Sequence, residues 1–225
     1  MKYEIFVCHY TPLIERKKHM IEQFCNHDIH NYQFIETYDK ESLSIDDKCR
    51  FDPKILDSEI SLFFKHMDIF SKDIDDIIVV LEDDAIFVDG FKEKLEDYLK
   101  QLENLDWDIA FTGACCDLHA SLSGGSQFVP FSRKSANQLS IPLDEIFYES
   151  NRSRGTCMYI LNKHVNTRLY NMYNDNEENI GAIDTWLDEI YDHEKFTYLW
   201  SEPVLVQQGS EKRIFEFSIK FRNYV

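Results

Sequence analysis

The chain has 225 residues, 44% of them hydrophobic, with 17 Phe and 12 Tyr and a formal net charge of −17. That length fits one large domain or one domain with a small lobe, and the apolar content excludes a disordered chain. The charge excludes a general nucleic-acid binder, which needs a basic face to displace counterions. An anionic substrate approaching so acidic a protein requires a cation or a local basic patch. Basic residues do cluster, at Arg16–Lys18, at Arg152 and Arg154, and at Lys212, Arg213, Lys220 and Arg222.

The segment from Met1 to Cys8 reads as a short apolar strand and not as a signal peptide. No stretch approaches the ~18 uncharged apolar residues of a membrane span. The six cysteines show neither C-x-x-C spacing nor a zinc pattern, and only the adjacent Cys115 and Cys116 stand out. They read as reduced thiols, which places the chain in the cytoplasm, or peripherally at a membrane surface.

In chain order, residues 3–9 predict a first strand. Thr11 reads as a helix cap with Pro12 at the first helical position, and the helix then carries Leu13, Arg16, Met20 and Phe24. A second strand is expected at Tyr32–Ile35, followed by polar, irregular sequence over 37–55. Asp57 or Ser58 caps a helix with Ile60, Phe63, Phe64, Met67 and Phe70 at core-facing spacing. Ile77–Leu81 is a β-branched run expected to be buried on both faces. It ends in Glu82, Asp83 and Asp84. A helix over Phe91–Leu102 and a strand over Asp108–Phe111 follow. From 114 to 150 the pattern breaks, and a loop of that length is functional or mobile. Thr156–Leu161 predicts a strand, a helix starts near Lys163, and Ile183–Tyr191 is a short helix with Trp186, Leu187 and Ile190 on one side. Phe196–Trp200 is a strand, and Pro203–Ser210 closes the regular part. This alternation predicts an α/β chain with a largely parallel sheet, without internal repeats.

The acids at 82–84 carry the chemistry. Ligands of open α/β sheets bind beyond the carboxyl ends of strands. Carboxylates clustered there are too costly to bury ionised and unpaired, and a divalent cation is the simplest compensation. Oxygen ligands select Mg2+ or Mn2+, and magnesium commonly bridges carboxylates to substrate phosphates. The plainer reading is an acidic turn after a strand. A magnesium-dependent phosphohydrolase or phosphotransferase would also place acids at a strand end, although its Asp-x-Asp-x-Thr/Val nucleophile signature is missing.

Six blocks together resemble glycosyltransferase family 25, the lipooligosaccharide and collagen galactosyltransferase group, and look closest to its short virus- and bacterium-encoded members. They are His9–Lys17; Asp57–His66; Leu81-Glu82-Asp83-Asp84; Ser153–Tyr159; Ile183-Asp184-Thr185-Trp186-Leu187; and Glu202–Ser210. In the second block Glu59 and His66 match the family pattern, while Ser61 and Lys65 depart from it. The resemblance implies a GT-A-type fold, a Rossmann-like, largely parallel mixed sheet flanked by helices. It implies a single domain over 1–225, with about 1–112 binding the nucleotide-sugar and about 113–225 the acceptor. It also implies a UDP-hexose donor, best known as UDP-galactose, and a glycan or glycoconjugate acceptor.

On that resemblance Asp84, with Glu82 beside it, is the expected ligand of Mn2+ or Mg2+. Asp83 either faces inward onto backbone amides or contacts the sugar. Asp184 is the expected general base, against a purely N-capping role, with Asp188 one turn on as a substitute. His9, Thr11 and Arg16 are expected to border the nucleotide, Arg16 touching phosphate or an acid of the motif. Glu59 and His66 share a helix face; His66 either reaches the donor or is a core histidine. Gln208 is expected near the metal or phosphate, because the glycine after it lets the backbone approach. A catalytically degenerate glycan- or partner-binding domain is the non-enzymatic reading, and the intact Glu82, Asp84 and Asp184 count against it.

Overall fold

The computed structural model describes residues 1–114, 118–119, 129–130, 146–175, 179–210 and 212–215. The strands are β1 (Tyr3–Cys8), β2 (Tyr32–Ile35), β3 (Ile77–Glu82), β4 (Ala85–Phe87), β5 (Ile109–Phe111), β6 (Gly113–Ala114), β7 (Leu118–His119), β8 (Val129–Pro130), β9 (Phe147–Ser150), β10 (Met158–Leu161), β11 (Tyr198–Ser201) and β12 (Val206–Gln208). The helices are α1 (Ile14–Asn26), α2 (Ile45–Cys49), α3 (Asp57–Phe70), α4 (Phe91–Leu102), α5 (Val165–Asp175) and α6 (Ile183–Glu194).

Seven strands form the main sheet in the order β2-β1-β3-β10-β5-β11-β9. β2, β1 and β3 pair in parallel, as do β5 and β11. β10 runs antiparallel to β3 and β5, and β9 antiparallel to β11. The fold is therefore α/β with a mixed, mostly parallel sheet. The chain leaves β1 for β2 on one side and returns as β3 on the other. The carboxyl ends of β1 and β3, with Cys8 beside Glu82, thus form a topological switch point, where open sheets leave a crevice. A second sheet, β4-β12-β6, stands beyond that crevice.

The β-branched run explains the layering. Ile78 and Val80 of β3 join Phe63, Phe70, Leu169, Trp186 and Leu187 in one core. Ile77, Val79 and Leu81 alternate to the other face, where they meet Met20, Phe24, Phe91, Leu95 and Leu99. The period-two reversal of side chains lets one strand serve both layers. Each such buried side chain contributes roughly 1.5–3 kcal/mol, so the sheet platform under the acids is rigid.

Several local expectations are corrected. Helix α1 begins at Ile14 after Leu13, with no side-chain cap, and Thr11 and Pro12 lie in the preceding turn. Helix α3 follows Leu56, so neither Asp57 nor Ser58 caps it; Glu59 accepts the Leu56 amide at 2.7 Å instead. Within the stretch expected to be irregular, Ser44 and Asp47 form a capping box that starts α2. Most of 114–145 lies outside the described residues, but Phe147–Ser150, expected as loop, is the edge strand β9.

His66 belongs to this core. It is fully buried, stacks on Tyr159 and hydrogen-bonds the Tyr159 hydroxyl at 2.6 Å. Burial pushes its imidazole down to about 3, so it stays neutral while the unfolded chain takes up a proton below the ordinary value of 6.5. Stability is therefore lost from this residue as pH falls below about 6.5, by about 2–3 kcal/mol at pH 4.5. Urea unfolding at pH 7 and pH 4.5 checks this: His66→Gln should lose that much less than the wild-type chain between the two pH values. An equal loss in both would show that His66 titrates freely.

Candidate active site

Two adjoining clefts open at the switch point. The first has about 700 Å3 of empty space. It is floored by Cys8, Tyr10, Leu13 and Arg16 after β1 and by Glu82, Asp83 and Asp84 after β3, with Gln208 and Ser210 from the end of β12. Lys40 from the loop after β2, and Ser58, Ser61, Leu62 and Lys65 from α3, complete it. The second, of about 560 Å3, is lined by Glu59, Gly155, Thr156, Cys157, Ala182, Ile183 and Asp184. Leu62, Glu82 and Gln208 line both.

The three acids have three different environments. Asp83 points inward and is 6% exposed. Its carboxylate accepts from His9 Nδ1 at 2.8 Å, the Tyr10 amide at 3.2 Å and Arg16 at 2.9 Å. One side chain thereby ties the end of β1, the first turn of α1 and the end of β3. Asp84 is 2% exposed. Its Oδ2 accepts from the Ser210 hydroxyl at 2.5 Å and the Ser210 amide at 3.3 Å, with Arg16 at 3.8 Å. Its Oδ1 is buried and has no hydrogen-bond partner among the described residues. Glu82 accepts from the Thr156 hydroxyl at 2.6 Å.

Burial raises both carboxyls that face the clefts. Burial, then Asp84 and the other nearby acids, push Glu82 up to about 8, with the Thr156 bond acting the other way. Burial raises Asp84 as well, against the Ser210 bond and Arg16. The buried thiols of Cys8 and Cys157 are pushed well up by burial and the same acids, which removes them as nucleophiles.

Backbone packing holds the acids in place. The Gly209 amide donates to the Asp84 carbonyl at 2.8 Å. A Cβ at Gly209 would stand 2.7 Å from that oxygen and 2.8 Å from the Phe215 ring, so only glycine brings Ser210 onto Asp84. Gln23 of α1 clasps β4, donating to the Ala85 carbonyl and accepting the Phe87 amide, both at 2.7 Å.

The other expected site residues fall into groups. His9 is buried behind Asp83 and holds it, outside the cleft lining. Thr11 donates to Asp39, which also pairs with Lys65 at 2.9 Å; both bonds pin the loop that carries Lys40. Glu59 lines the second cleft together with Glu82. His66 lines neither. Asp184 is not an N-cap: Ala182 holds that position, and Asp184 lies exposed in the first turn of α6, its Oδ1 accepting the Thr185 amide at 2.8 Å. Asp188 is absent from both linings and accepts the Ser153 amide at 2.6 Å, fixing the 153–156 loop. Buried Arg154 braces the same loop on the Ser201 carbonyl at 2.8 Å and Glu202 at 2.5 Å. Sequence reasoning missed Tyr10, Lys40, Leu62, Thr156 and Ser210 as lining residues. Thr156 and Ser210 stood inside the quoted blocks, whereas nothing in the pattern around Lys40 marked it.

Among the described residues no three His, Cys, Asp or Glu side chains converge as a ready-made metal cluster, and no helix is long and apolar enough to cross a membrane. The fold is α/β, with an acid-bearing crevice at its topological switch point. The family model of glycosyltransferase family 25 (LPS biosynthesis protein) matches residues 3–187; the chain belongs to that family and is a glycosyltransferase. No curated protein matches. Among solved structures, the crystal structure of A197 from STIV is similar, with a TM-score of 0.39 and 11% identity over 100% of both chains.

The environments of Asp83 and Asp184 predict opposite costs on removal. Asp83→Ala removes the buried carboxylate that bonds Arg16 and His9 and should destabilise by about 3–5 kcal/mol. Asp184→Ala removes an exposed first-turn acid and should cost under about 1 kcal/mol. Chemical unfolding of the two variants measures both, and similar losses would contradict the assignment of Asp83 as the structural acid.

Proposed function

We propose that the protein transfers a hexose from a nucleoside-diphosphate sugar, UDP-galactose in the first instance, to a hydroxyl of a glycan or glycoconjugate acceptor, with inversion at the anomeric carbon. The observation that carries the reading is the pair of clefts with a shared wall. Glu82 and Gln208 belong to both, so a group bound in one is delivered to the other across them. The sheet order gives the donor a direction. Strand ends about 4.8 Å apart lead from Lys40 after β2, past Tyr10 after β1, to Asp84 after β3. The nucleoside lies toward Tyr10 and the diphosphate toward the acids. The first half of the chain thus supplies most of the donor cleft, and Asp184 of the second half faces the acceptor. The family's description as an LPS biosynthesis protein supports a glycoconjugate acceptor, handled in the cytoplasm or at a membrane surface.

The residues fit a divalent cation. Asp84 Oδ1 is buried without a partner among the described residues, and burial raises the carboxyls of Glu82 and Asp84, so their charged forms are disfavoured until a cation offsets them. Two carboxylates completed by substrate oxygens and water are an ordinary magnesium or manganese arrangement. Asp84 and Glu82 would hold it, and it would supply electrostatic stabilisation of the departing diphosphate.

The chain's own residues do the rest. Arg16, fixed on Asp83, presents positive charge beside Asp84. Thr156 orients Glu82. Gln208 offers an amide to the hexose at the shared wall. Asp184 takes the proton of the acceptor hydroxyl as it attacks, the work of a general base.

Two variants test this. Asp184→Asn keeps an acceptor for the Thr185 amide, so fold and donor affinity should survive while transfer falls about 100- to 10,000-fold. Wild-type turnover would make Asp184 structural. Asp84→Ala should abolish manganese-supported UDP binding in calorimetry, and undiminished binding in chelator would remove the cation from the reading. In the same assay UDP-hexoses should bind better than GDP- or CMP-sugars.

A further inference from the structure

We infer that Ser210 is a positioning residue for the cation: it pins one oxygen of Asp84 and so reserves the other as the ligand. The inference rests on the cation named in the reading above and adds to it a residue that follows β12.

The observation is an asymmetry within one buried carboxylate. Asp84 is 2% exposed and lines the first cleft. Both donors of Ser210, its hydroxyl at 2.5 Å and its amide at 3.3 Å, go to Oδ2. Oδ1 is buried too and has no partner among the described residues. A fold that only had to satisfy this acid would do better to divide two donors between two oxygens, because each buried acceptor left unpaired carries its own cost. Two donors on one oxygen act on orientation instead. The terminal torsion of an aspartate is broad and roughly two-fold, so a carboxylate without an anchor exchanges its oxygens.

Arg16 makes that anchor necessary. It bonds Asp83 at 2.9 Å and stands 3.8 Å from Asp84 Oδ2. The Ser210 hydroxyl bond is short and charge-assisted, which puts it among the stronger hydrogen bonds, and it holds Oδ2 in place beside the guanidinium. With alanine at 210 only the longer amide bond is left. The carboxylate is then free to turn, and an oxygen needed by a cation becomes engaged by Arg16. Magnesium demands near-ideal geometry of its oxygen ligands, so the orientation of Asp84 enters directly into affinity.

Ser210 is itself held from two sides. The Gly209 amide bonds the Asp84 carbonyl, and the Ile214 amide donates to the Gly209 carbonyl at 2.9 Å, which folds the chain after β12 back on itself. Phe215 then reaches α1. Its ring packs edge-on against His19 at 5.1 Å and lies 5.4 Å from the Arg16 guanidinium. One short segment thus touches Asp84 through a serine and Arg16 through an aromatic ring. Hydrogen bonds of this kind to a ligating carboxylate are worth about 10- to 100-fold in metal affinity.

The test measures UDP binding by calorimetry across a series of manganese concentrations. Ser210→Ala should need about 10- to 100-fold more manganese to reach half of its gain in UDP affinity. At excess manganese its UDP affinity should return to near the wild-type value, which damage to the cleft would not allow. Ser210→Thr keeps the hydroxyl and should follow the wild-type curve. An unshifted manganese curve for Ser210→Ala, or UDP affinity that stays low at excess manganese, overturns the inference. So does a folded Ser210→Thr that shifts as far as alanine, or a Ser210→Ala chain with no cooperative urea transition, which would make Ser210 a residue of the fold. Wild-type UDP binding that ignores manganese would instead remove the cation from the reading above, so the two failures are told apart.

Discussion

The buried carboxylate of Asp83 is the constraint on which the site depends. Three donors converge on it from β1, the turn after β1 and α1. It stands between two acids that face the clefts, so its position fixes theirs. A buried ion pair is weak evidence for net stability, since desolvation offsets much of the attraction. Its value here is register. Breaking it would take from Arg16 its 2.9 Å carboxylate contact and untie the turn after β1 and α1 from the end of β3.

Around that fixed point the protein stores unfavourable charge. Glu82 and Asp84 are held on the sheet platform, and burial, with neighbouring acids, raises both carboxyls. Ser210, Thr156 and Arg16 each relieve part of the cost, yet one oxygen of Asp84 keeps no partner among the described residues. Buried polar groups are usually satisfied, and an exception inside a cleft suits a ligand better than a fold. The aliphatic core beneath, from Ile77 to Leu81, supplies the stability that such a site spends.

Much of this was legible in the sequence because strong periodicity dictates structure. The run Ile77–Leu81 had to be a doubly buried strand, and the amphipathic spacing of α4 gave its bounds, Phe91–Leu102, as found. The core positions Phe63, Phe70, Trp186 and Leu187 followed from helical spacing. Several short elements were not legible, although the four-residue strand Tyr32–Ile35 was read with its bounds. β4, β6 and β12 are too short to show a period, and their pairing is set by contacts far apart in the chain. The reversed direction of β10 is equally invisible, since a buried strand reads the same either way. Among site residues, the acids and Asp184 stood out by type and place. His66 did not reveal its role, because a core histidine and a ligand-facing one have the same sequence neighbours, and only the Tyr159 contact decides between them. Thr11 looked like a cap because Pro12 follows it, but the turn after β1 extends to Leu13 and puts the threonine on Asp39 instead.

The departure of Lys65 from the family pattern takes on a structural sense from these contacts. It is buried, bonds the Thr37 carbonyl and Asp39, and so ties α3 to the loop after β2. Thr11 reaches the same Asp39 from the other side. The lysine thus ties the loop at the first cleft to α3, the helix whose first turn carries Glu59 to the second. The two clefts then share more than a wall: one helix fixes the cover of the first and carries Glu59 to the second.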